Sequence, residues 1–149
     1  MLKYAKYYFS VFLSFLTILA ILQGSYYPTI FFILFSTVII IGDSLIRPDK
    51  KLQSFSHPFF LDLSIYIALP VLFILIFFVV SLFSSSLPVW YVAGFRDFLK
   101  IDFIQLQQSF NVFDKISIIL VTFLIGGAMS IAGGHELAHR KKNKFDLFV

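Results

Sequence analysis

Residues Leu63 to Phe83 read LSIYIALPVLFILIFFVVSLF, 21 positions without a charge. A helix of about 20 apolar residues, rising about 1.5 Å per residue, matches the hydrocarbon thickness of a bilayer. Pro70 falls in the middle of the stretch. Membrane helices tolerate such a proline because neighbouring groups satisfy the carbonyl it frees. The segment therefore predicts a transmembrane helix over 63–83, and it makes lipid the solvent against which the rest of the chain is read.

Towards the N-terminus, Tyr7 to Gly42 holds no charged residue across 36 positions. That is too long for one crossing and predicts a hairpin of two helices. The break is written at Gln23-Gly24-Ser25-Tyr26-Tyr27-Pro28, where Gly and Pro permit a turn and paired Tyr suits the headgroup layer. Helices are expected over approximately 4–22 and 29–46. Met1-Leu2-Lys3-Tyr4-Ala5-Lys6 before an apolar run resembles a secretory signal, but no small-x-small cleavage site follows. It is read as a retained first helix. Towards the C-terminus, Ile116–Gly134 is free of charge and ends in small residues, Gly126-Gly127-Ala128 and Ala132-Gly133-Gly134, which let helix backbones approach closely. This fourth helix is expected over 116–139. The intervening Ser84–Asp114 is long and aromatic, with Trp90, Tyr91, Phe98, Ile101, Phe103, Ile104 and Leu106, and reads as an interfacial segment with a short amphipathic helix in the membrane plane.

Composition agrees. Of 149 residues 59% are hydrophobic and 13% charged, against about 25% charged in soluble domains. Phe occurs 21 times and mean hydropathy is +0.91, more apolar surface than one core of this size can hide. The net charge of +4 does not indicate nucleic acid, because Lys and Arg lie in small groups between apolar runs. They read as topology signals. Lys3, Lys6, Arg47, Lys50, Lys51, Arg140, Lys141, Lys142 and Lys144 fall on one side, and Arg96, Lys100 and Lys115 on the other. The positive-inside rule then puts both termini in the cytoplasm. The expected fold is a single all-α integral membrane domain of about four transmembrane helices, sited in a bacterial inner (cell) membrane.

The chain has no Cys, so any metal it binds is held by His and carboxylates. His135 and His139, in Gly134-His135-Glu136-Leu137-Ala138-His139-Arg140, are four apart and share one helix face. Both rings can reach one metal centre. Glu136 stands about 100° round the helix from His135 and is a candidate bridging carboxylate or general base. Two i, i+4 histidines at a basic helix end could also be a solvated cap. Ionisable residues at membrane depth, however, are usually functional. Two chemistries use the spacing. His-Glu-x-x-His is the zinc metalloprotease motif, in which Glu activates water. Here Arg140, Lys141 and Lys142 follow, where such proteases usually continue into an uncharged core.

The second is histidine-box chemistry. Gly134-His135-Glu136-Leu137-Ala138-His139-Arg140-Lys141 resembles the first histidine box, His-Glu-Leu-x-His-Lys/Arg, of the alkane hydroxylase (alkane 1-monooxygenase) group in the membrane fatty acid desaturase and hydroxylase superfamily. Lys144-Phe145-Asp146 is similar to the short link that follows that box, and Gly42-Asp43-Ser44 to an acidic turn in alkane hydroxylases. The resemblance implies a non-haem di-iron oxidoreductase that uses dioxygen to hydroxylate or desaturate alkyl chains. It implies His135 and His139 as iron ligands, with Glu136 as a catalytic candidate. It further implies an alkane or fatty acyl substrate drawn from the bilayer, and rubredoxin or ferredoxin as electron donor.

Later boxes of that family supply several more histidines. Here the remaining histidine is His57, in the loop Ser56-His57-Pro58, where a lone His is usually a surface residue. The expectation is thus the N-terminal half of such an enzyme, not active alone. A zinc endopeptidase and a non-enzymatic membrane protein are the alternatives.

Overall fold

The computed structural model describes residues 6–45 and 59–139, with the backbone course alone for Lys6, Asp43 and residues 131–139. Its described residues form six α-helices. A 3₁₀ turn, Lys6–Tyr8, leads into α1 (Phe9–Leu22), and α2 (Tyr27–Leu45) follows. Next come α3 (Phe59–Phe83), α4 (Val89–Gly94) running into a π-helical turn (Phe95–Leu99), α5 (Phe103–Ser109) and α6 (Val112–His139). Two stretches, Phe59–Phe83 and Val112–Ser130, are long and apolar enough to cross a membrane, while Phe9–Leu22 and Tyr27–Gly42 are shorter apolar helices.

The bounds differ from expectation for local reasons. α1 starts at Phe9 because the residues before it close a tighter 3₁₀ turn; positions 4 and 5 of the expected helix lie outside the described residues, as does position 46. α2 begins at Tyr27 and takes Pro28 into its first turn, where a missing N–H costs nothing. α3 starts four residues early and carries Asp62 in its first turn, where a carboxylate meets the positive end of the helix dipole. It runs unbroken past Pro70. Gly42-Asp43-Ser44 is not a turn but part of α2, and the Ser44 hydroxyl donates to the Ile40 carbonyl at 2.8 Å. Between α3 and α6 the expected single amphipathic helix is instead two short helices and a π turn. The break comes at Lys100, which adopts a left-handed φ of 58°.

α1 and α6 pack against each other, and α2 and α3 each pack against both. The two outer helices therefore flank a central α1–α6 pair. That pair needs small side chains on the α1 side, and Ser14 and Thr17 are 0% and 1% exposed. Their hydroxyls donate back to Ser10 and Leu13 carbonyls, and Ser14 Oγ also lies 3.3 Å from Met129 Sδ. Gly126 serves the α3 side, since a Cβ there would stand 3.3 Å from Leu72 Cδ1. Meanwhile Phe12, Phe73 and Phe123 are each more than half exposed. Hydroxyls inside with phenyl rings outside invert the amphipathic pattern of a helix in water.

The α1–α2 turn depends on Gly24, whose φ is +80° and whose added Cβ would meet Ser109 Oγ at 3.1 Å. We expect Gly24→Ala to cost about 1–3 kcal/mol through backbone strain, read as a lower unfolding midpoint in detergent. Gly42→Ala is the control. It sits within α2 with nothing within 4 Å of an added Cβ, and should be neutral or stabilising by about 0.5–1 kcal/mol.

Candidate functional site

The backbone of α6 is helical without interruption from Val112 to His139, so His135, Glu136 and His139 all lie on it. Eighteen residues make five full turns at about 3.6 residues per turn. His135, Glu136 and His139 therefore occupy the same angular positions as Ser117, Ile118 and Val121, which are 5%, 0% and 1% exposed. Leu137 and Ala138 occupy those of Ile119 and Leu120, both exposed. The donor residues of the motif are thus in phase with the bundle-facing stripe of α6, and its apolar residues with the outward stripe. Glu136 shares that stripe with the two histidines.

Axial position follows from the contacts. α1 and α6 are antiparallel and level where Ser14 meets Met129. Five residues further along each, Phe9 is level with Gly134, and Tyr8 with His135. The Tyr8 hydroxyl donates to the Phe60 carbonyl at 2.8 Å, which brings the start of α3 to the same level. The motif, the start of α1 and the start of α3 therefore share one end of the bundle.

The opposite end is fastened by a carboxylate absent from the sequence-derived site. Asp114, expected to end a loop, is fully buried in the first turn of α6. Asn111 Oδ1 accepts from the Asp114 N–H at 2.9 Å and the Asp114 carboxylate accepts from the Asn111 N–H at 3.2 Å. This reciprocal capping box starts the helix four residues earlier than the charge-free run suggests. The same carboxylate accepts from the Thr29 hydroxyl at 2.6 Å and from the Tyr26 N–H at 3.2 Å, so it ties α6 to the start of α2. Two helix N-termini, with their positive dipole ends, meet on one anion. The signal Asn-x-x-Asp before an apolar run was there to be read.

Beside it, Gln107 Nε2 donates to the carbonyls of Ser81, Leu82 and Ser84, closing the end of α3. Tyr91, Phe95 and Phe103 pack over that end in edge-to-face and tilted contacts with ring centroids 4.7–5.3 Å apart. Burial pushes the Tyr91 phenol above its usual value, and the Ser81 hydroxyl offsets part of the rise.

Two apolar cavities are described. One, of about 230 Å³, is lined by α1, α3, α4 and the π turn, including Leu22, Phe78 and Tyr91. The other, of about 580 Å³, lies between α3 and α6 near Val80 and Thr122. Both belong to the capped half of the molecule. Phe123, the residue of α6 that lines the larger cavity nearest the motif, is twelve positions before His135, about 18 Å by helix rise, so neither cavity adjoins the histidine motif. Among the described residues no three His, Asp or Glu side chains gather as a metal site. The chain matches no family model, no curated protein and no solved structure.

Proposed function

We propose that this chain is a membrane-embedded part of a non-haem di-iron oxidoreductase acting on alkyl chains, of the alkane hydroxylase or fatty acid desaturase kind. His135 and His139 are its iron ligands, and Glu136 is the carboxylate beside them. The reading is carried by one observation: His-Glu-Leu-Ala-His lies on an unbroken helix with its three donor residues in phase with the buried stripe Ser117, Ile118 and Val121. An idle basic cap has no reason to keep that phase.

Imidazole and carboxylate suit iron, which when bound supplies dioxygen activation for attack on a C–H bond. Two imidazoles and one carboxylate are fewer donors than two irons take. Further ligands come from elsewhere, and the role of this chain is to hold its histidines at a fixed height and angle on α6. The substrate is an alkane or fatty acyl chain from the bilayer, and the electron donor a rubredoxin or ferredoxin.

In this reading α1, α2, α3 and α6 are four spans, the α4–α5 cap lies in the far interface, and the histidine end faces the cytoplasm of a bacterial inner membrane. Exposed Trp90 and Phe98 on the cap suit that interface. A reporter fused after Val149 should therefore be active only as a cytoplasmic fusion; periplasmic activity overturns the orientation.

Elemental analysis of the purified protein tests the metal. Iron that co-purifies with the chain, and is lost in a His135→Ala variant, is the expected result. Zinc would assign the motif to a metallopeptidase, and absence of any metal would make the helix end structural.

A further inference from the structure

The least regular backbone of the fold builds the wall of the smaller cavity. A π turn is rare, and where one interrupts an α-helix it frequently marks a functional site. Here it occupies Phe95–Leu99 and ends in the left-handed Lys100. Residues four apart on an α-helix drift by about 40° at each step, so a regular helix would fan Tyr91, Phe95 and Leu99 across about 80°. The step from Phe95 to Leu99 is instead taken in the wider turn, which rotates less per residue and carries Leu99 back towards the angle of Tyr91. All three line the cavity of about 230 Å³. Across from them stand Ile18 and Leu22 of α1 and Ile74, Phe77 and Phe78 of α3. Phe78 and Phe95 stack at 5.7 Å with their planes 3° apart, and Phe77 meets Tyr91 edge-on at 5.6 Å. Paired rings thus brace the wall.

Every lining side chain is apolar except Tyr91, whose hydroxyl already has the Ser81 side chain as partner. Such a space does not hold water, which needs several polar partners; an engineered apolar cavity of about 150 Å³ stays dry and binds benzene or xenon. Left empty, it forfeits dispersion contacts along its whole lining. Phe78 and Tyr91 are buried and form its floor, whereas Ile74 and Phe77 are more than half exposed. It therefore opens on the outer face of the bundle, against hydrocarbon in the membrane reading. We propose that this cavity is a binding site for one small, wholly apolar molecule of about benzene size, taken up from the hydrocarbon. Bounded by α1, α3, α4 and the π turn, it takes a compact molecule whole, and it offers no free donor or acceptor to a polar one. The site is separate from the histidine motif and independent of any metal bound there.

Fluorobenzene is the probe, added to the full chain in detergent micelles and followed by fluorine NMR. Beside the micelle resonance, the parent protein should show a second one that saturates at one fluorobenzene per chain and is displaced by benzene. Ile18→Phe fills the cavity from α1 and should lose that resonance, and Leu22→Phe, one turn along the same helix, should lose it too. Ile119→Phe alters the wall of the larger cavity instead and should keep it. Circular dichroism identifies which variants keep the parent's helix content, and the comparison is made among those. A parent with the micelle resonance alone has its cavity filled by detergent or lipid tails, and overturns the site. So does a bound resonance that survives the cavity-filling variants, or one that disappears in Ile119→Phe.

Discussion

Asp114→Ala should lower the stability of the bundle by about 3–5 kcal/mol, the largest single loss expected outside the apolar core. The carboxylate is fully buried and accepts from Thr29 Oγ1 and from the Tyr26 and Asn111 N–H groups. Hydrogen bonds to a charged group are worth about 1.5–3 kcal/mol each, and buried donors left without a partner add their desolvation cost. The sum is kept below simple addition because the donors share one acceptor group and water can enter the vacated end. Thr29→Val removes one of the three bonds and should cost about 1–3 kcal/mol. Asp114→Asn should fall between them, since its amide offers one acceptor oxygen and turns two unwanted donors towards donors. Detergent unfolding followed by circular dichroism measures all three. Equal, small losses would mean that the α1–α2 turn is held by apolar packing alone.

The contrast between Asp114 and the spans shows what the sequence can reveal. Charge-free length marks Leu63–Phe83 and Ile116–Gly134 because burial in hydrocarbon penalises any ionised side chain, so the pattern is dictated by the solvent and needs no knowledge of neighbours. The same rule misplaces the start of α6. It reads Asp114 and Lys115 as the edge of a loop, whereas a carboxylate capped by Asn111 and met by Thr29 is stable inside the bundle end. A capping box is a local pattern and legible, but its second use, binding the start of α2, spans 85 residues and depends on the fold. The cap differs again. Exposed Trp90 and Phe98 carry the interfacial signal, yet the left-handed Lys100 and the Gln107 contacts that split the segment into short helices have no pattern in sequence. For the motif, spacing alone puts His135 and His139 on one face. That the face is in phase with Ser117 and Val121 requires the burial of those residues, which no periodicity in so apolar a helix discloses.

That phase makes the largest functional prediction. Inserting two alanines after Ser130 advances every later residue by about 200° and 3 Å. It leaves untouched the packed stretch from Asp114 to Met129, so the bundle should keep its unfolding midpoint to within a few degrees. His135 and His139 still stand four apart on a helix, and a site made by the pair alone at a solvated helix end would bind metal as before. If the site faces the bundle, the insertion carries His135 from the angle of Ser117 to that of the outward Ile119, and His139 from that of Val121 to that of the outward Phe123. Metal binding should then fall nearly as far as in His135→Ala or His139→Ala, each of which should abolish it. Isothermal titration of the apo-protein with Fe²⁺ under anaerobic conditions reads the difference. Retained affinity in the insertion variant, with loss in both alanine variants, would place the metal on the helix surface and leave the bundle interior without a part in holding it.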